Sequence, residues 1–92
     1  MRERPALVHL ILTRHGFEHL VDALLCVPSP LWVNRGVLAA DELAAMRATG
    51  IDVTGFAHAI DPADPFQVAE AARTVAYRHP GRQVWIEHAA SV

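Results

Sequence analysis

Residues 6–25 run ALVHLIL, then TRHG, then FEHLVDALL, and this succession constrains the fold more than any other stretch. The first seven residues are apolar except for His9. That is the pattern of a strand covered on both faces, as in parallel or mixed sheets with helices packed outside. Thr13, Arg14, His15 and Gly16 form a short polar joint. Beyond it Phe17, Leu20, Val21, Leu24 and Leu25 fall on one face of a helix, with Glu18, His19 and Asp22 opposite. Pro28 and Pro30 remove donors and restrict the residues before them, so this helix is expected to stop near Val27. A doubly covered strand needs further strands beside it and helices over both of its faces.

The rest of the chain supplies them. Leu31–Val33 restarts an extended segment, and Asn34, Arg35 and Gly36 read as a turn. Residues 37–39 read as an apolar lead-in to the next helix, with the returning arm of a hairpin as the alternative. Asp41 is expected to cap a helix through Ala48 with Leu43 and Met46 inward, and Gly50 stands where a left-handed C-terminal residue belongs. Ile51 and Val53 open a third strand, which Gly55 bends. Asp64 followed by Pro65 matches an N-cap and first helical residue, so a helix is predicted over Pro65–Arg78. Its inward residues are Val68, Ala72, Val75 and Ala76, and His79, Pro80 and Gly81 end it. Residues 84–87 make the last strand, with Val84 and Ile86 on one face and Trp85 and Glu87 on the other.

The order is therefore β-α-β-α-β-α-β within residues 1–92, one α/β domain. The expectation is a small single-layer sheet of about four strands, largely parallel, with three helices. A mixed sheet, with the second or fourth strand reversed, is the competing arrangement.

Composition narrows the function. The chain carries a formal charge of −2 and contains no lysine, and its eight arginines form no stripe. A nucleic-acid partner, which calls for a concentrated positive field, is therefore not expected. A single cysteine, Cys26, makes neither an internal disulfide nor a thiolate cluster, and it reads as a small buried filler. No apolar run has the length of a membrane span, and no secretory leader pattern opens the sequence, so the cytoplasm is the expected location.

In parallel sheets ligands meet the loops beyond the carboxyl ends of the strands. Here those are residues 14–16, 34–36, 58–64 and 87–88. Arg14, His15 and Gly16 offer a guanidinium, an imidazole and backbone N–H groups at a helix start, which suits an anion. Arg35, His58 and Asp61 are further ligand-binding candidates, and His88 is a candidate second catalytic histidine. The residues LTRHG resemble the strand-to-loop signature of the histidine phosphatase superfamily. The resemblance spans about seven residues, 10–16, and implies that His15 takes a phosphoryl group which Arg14 binds. The family also carries a second arginine and a second histidine in a larger domain. Arg73 is only loosely comparable, and Glu87-His88-Ala89 departs from the histidine-glycine ending.

A metal module is a further alternative, because His15 and His19 are four apart with Glu18 beside them. The Glu that follows the first histidine in zinc proteases is absent. His9 reads as a core or edge histidine bonded to backbone, and His79 as a residue placed by the field of a helix C-terminus. No nucleotide loop, complete nucleophile–base set or cofactor motif stands out. The first expectation is thus a protein that acts by self-association, as a homodimer, or by binding a protein partner. The alternatives are a small phosphate- or carboxylate-handling enzyme or binding domain, which leaves catalysis open, and the metal module.

Overall fold

The computed structural model of the chain describes residues 7–87. β1 (Leu7–Ile11), α1 (Arg14–Leu24), β2 (Leu31–Val33), α2 (Ala40–Ala48), β3 (Val53–Gly55), α3 (Pro65–Arg78) and β4 (Gln83–Ile86) follow in the expected alternation. All three strand pairings are parallel, and the sheet order is β3-β2-β1-β4. None of these four strands runs in reverse.

The alternation of side chains along each strand divides the core into two halves. Ile11, Leu31, Val33 and Val53 pack against Phe17 and Leu20 of α1, with Leu43 and Met46 of α2 closing over them. On the other face Val8, Leu10 and Trp32 meet Ala71 and Val75 of α3. Val8, Leu10 and Ile11 are fully buried, so β1 is the covered strand that its apolar run requires. The first two crossovers step the chain from β1 to β2 to β3. The third carries it back to the far side of β1, and right-handed crossovers then place α3 on the opposite face. The strand order reverses between β1 and β4.

Several local boundaries differ from the sequence-based expectation. α1 begins at Arg14, inside the stretch taken as a joint, because Thr13 serves as N-cap and its hydroxyl accepts the Gly16 N–H at 2.9 Å. The helix ends at Leu24, with Leu25 in the left-handed region at φ 61°. That early end leaves Cys26 exposed, a correction to its reading as a buried filler. Helix α2 starts before Asp41, at Ala40, and it is Glu42 that reaches back to the Ala39 N–H at 2.8 Å. Residues 37–39 are a lead-in, with Val37 and Leu38 buried. Asp64 caps α3 as expected, accepting from the Phe66 and Gln67 N–H groups. The side-chain bond from Gln67, followed by that from the Phe66 backbone, holds the Asp64 carboxyl below its usual range. Ala76 is exposed where an inward position was expected, and Ala71 is buried in its place.

Candidate functional site

A sheet whose strand order reverses opens a crevice outside the carboxyl ends of the two strands that flank the reversal. Here those strands are β1 and β4. The β1 end continues through Leu12 and Thr13 into the first turn of α1, whose free N–H groups favour a negative charge. That charge is present, and it belongs to the chain. Glu87, the residue after β4, accepts the Leu12 N–H at 2.7 Å and the Thr13 N–H at 2.9 Å on one carboxylate oxygen. Its other oxygen receives the Thr13 hydroxyl at 2.6 Å. The same hydroxyl accepts from Gly16, so one relay runs from the end of β4 through the N-cap into α1. A Cβ added at Gly16 would run into the Glu87 carboxylate. Glycine at this position is what allows the carboxylate to seat.

Asn34 closes the crevice on the β2 side. It is 6 % exposed and fully bonded, donating to the carbonyls of Leu12 at 3.1 Å and Ile60 at 2.7 Å. Its oxygen accepts from the N–H groups of Arg35 and Ile60, each at 2.8 Å. The loops after β1, β2 and β3 are thereby joined by one amide.

Of the described residues expected to handle a ligand, Gly16 lies in this closed crevice, while Arg14, His15, Arg35, His58 and Asp61 lie around it. Arg14 turns towards α2: its Nε meets Glu18 at 3.0 Å, and its Nη1 meets Glu42 at 2.9 Å and the Val37 carbonyl at 3.1 Å. The hydrogen bonds that Arg14 donates to Glu18, and then to Glu42, raise its pKa. Bonding to the Ala39 N–H, and then to Arg14, lowers that of Glu42. His15 is exposed on α1 and stacks on His19, with ring centroids 6.5 Å apart. Arg35 is exposed and reaches the Ala57 carbonyl at 3.3 Å.

His58 lies on the other side of the sheet, at the rim of a cavity of about 260 Å³ lined also by Phe56, Phe66, Gln67 and Thr74. Asp61 accepts the Ala63 N–H at 3.0 Å and so shapes the loop before α3. Gly16 packs under Glu87. Arg73 is exposed on α3. His88 lies outside the described residues. Among the described residues no group of three or more His, Cys, Asp and Glu side chains is disposed to hold a metal.

Of two other histidines, His9 departs from its expected setting and His79 stands at the helix C-terminus where it was expected. The Nδ1 of His9 is buried without a hydrogen-bond partner, whereas bonding to backbone was expected. Its ring leans on Trp85 at 5.5 Å, and burial lowers its pKa. His79, at the end of α3, accepts the indole N–H of Trp32 at 3.0 Å.

The outer side of β4 is a second feature. α3 packs on β4 and β1, while α1 packs on β1. On the α1 side Leu7 and Trp85, both about 40 % exposed, are left open. On the α3 side an open groove of about 750 Å³ runs along the strand between Val84 and Ile86 and the flank of α3 formed by Pro65, Val68 and Ala69, and it reaches Leu12 and Glu87 at the crevice. No helix of the described residues is long and apolar enough to cross a membrane. Compared with protein-family models, with curated proteins and with solved structures, the chain matches none.

Proposed function

We propose that this domain acts by self-association through the free edge of β4, and not by chemistry at the crevice between β1 and β4. The observation that carries this reading is the contrast between the two places. The crevice, where a sheet of this order ordinarily takes its ligand, is filled by the Glu87 carboxylate on Leu12 and Thr13. Among the described residues the β4 edge keeps unpaired backbone groups beside the half-exposed Trp85 and an apolar groove. Unpaired edges template the pairing of another strand, and tryptophan is enriched where chains meet. The anion-handling alternative with Arg14 and His15 loses support because Arg14 is held by Glu18 and Glu42.

A proline on the edge tests the reading. The Glu87 N–H points at the Leu10 carbonyl, so by strand alternation the N–H groups of Val84 and Ile86 point away from β1. Val84→Pro therefore removes an outward donor and leaves the ladder to β1 intact. In sedimentation over a concentration series the wild type is expected to associate and Val84→Pro to stay monomeric with an unchanged circular dichroism spectrum. Equal association of the two proteins would sink the reading, as would a wild type that is monomeric at high micromolar concentration.

A further inference from the structure

We infer that the occupant of the β4 edge is the β4 strand of a second copy, paired antiparallel about a two-fold axis that passes beside Trp85. The inference rests on the association reading above and specifies its geometry. A two-fold axis normal to the sheet keeps each face continuous across the junction. Val84 and Ile86, on the α3 face, must then oppose α3-face residues of the partner, and Trp85 must oppose an α1-face residue.

The outward backbone groups belong to Val84 and Ile86, so the hydrogen-bonded pairs fall on these residues and Trp85 takes a pair without hydrogen bonds. Of the registers that meet these conditions, two set three residues of each β4 opposite three of the other. One centres on Val84; it sets Trp85 against the partner's Gln83 and Ile86 against the partner's Arg82. The other centres on Trp85; it sets the indole against the partner's Trp85, Val84 against the partner's Ile86, and Gln83 against the partner's Glu87. The second joins apolar to apolar and polar to polar, and it is the register we assign.

The helices fit the same junction. α3 packs over both β1 and β4. With strands about 4.8 Å apart, a helix lying between them has its partner helix about 10 Å away across the axis, close to the spacing of packed helices. Such closeness calls for small side chains on the facing flank. Ala69, which lines the groove, is continued at helical spacing by Ala72 and Ala76, and Ala69 and Ala76 are exposed. The groove along β4 thereby becomes the seam between two antiparallel α3 helices over one eight-stranded sheet.

Engineered disulfides read the register. In a Cys26→Ser background, Trp85→Cys places two thiols on opposed residues, within reach of a disulfide, whereas Val84→Cys places them on a diagonal beyond it. Under mild oxidation Trp85→Cys is expected to cross-link at least about tenfold faster than Val84→Cys. The wild type supplies an independent readout through an intermolecular Hα–Hα contact at Trp85 in a mixed-label sample. That contact decides the matter if Trp85→Cys does not fold. Association that depends on β4, but with Val84→Cys cross-linking faster or no contact at Trp85, would overturn this register and leave the association reading standing. A monomeric wild type would remove both.

Discussion

Glu87 and Gly16 depend on each other, and their dependence has a measurable sign. Replacing a helical glycine by alanine ordinarily stabilises by about 0.5–1 kcal/mol. Here the new methyl would displace a carboxylate held by Leu12 and Thr13. Gly16→Ala is therefore expected to destabilise the wild type, and to stabilise a Glu87→Ala protein from which the carboxylate is gone. A double-mutant cycle in denaturant reads both signs. The same sign in both backgrounds would refute the coupling.

Asn34 carries the other polar burden. Asn34→Ala strands the Leu12 and Ile60 carbonyls and the Ile60 N–H, and it is expected to cost about 3 kcal/mol or more. His9 adds a pH dependence. Burial depresses its pKa below the ordinary 6.5, so its contribution to stability is complete above that value and is lost as the pH falls from there through the folded-state value. Denaturant midpoints followed from about pH 8 to about pH 5 should therefore fall less in His9→Leu than in the wild type. These pairings were not legible in the sequence. A Glu after the last strand, a Gly in the first turn of a helix and an Asn after an apolar strand each have an ordinary local reading. Their meaning comes from strands that lie far apart in the chain and become neighbours only when the sheet closes.

At the scale of elements, periodicity carried most of the information. The apolar run of β1, the one-sided pattern of α1 and the Asp64-Pro65 start of α3 each placed an element correctly. Local capping chemistry was harder to see. Thr13 and Glu42 act through hydrogen bonds that sequence spacing only suggests, and so Arg14 and His15 pass from an assumed loop into the first turn of α1. That shift bears on function. In a loop the guanidinium would be free to follow a ligand, whereas in the helix Arg14 bridges Glu18 and Glu42 and ties α1 to α2. The character of β4 was half legible, since alternation separated Trp85 from Val84 and Ile86. That β4 is an edge strand follows only from the third crossover.

For the whole molecule, the two halves of the core explain why one side is left unfinished. α1 and α2 cover one face over β1, β2 and β3, while α3 alone serves the other. Nothing among the described residues extends the sheet beyond β4, and the apolar surface there is carried by Leu7 and Trp85. A domain of this size buries a limited fraction of its surface, so a second copy would add core to that of one chain. The measurement that bears most directly on this claim is sedimentation equilibrium of the wild-type chain beside Val84→Pro. Association through β4 predicts a wild-type mass that rises with concentration towards twice 10.1 kDa, while the variant stays at 10.1 kDa. A wild-type mass of 10.1 kDa up to high micromolar concentration would contradict it.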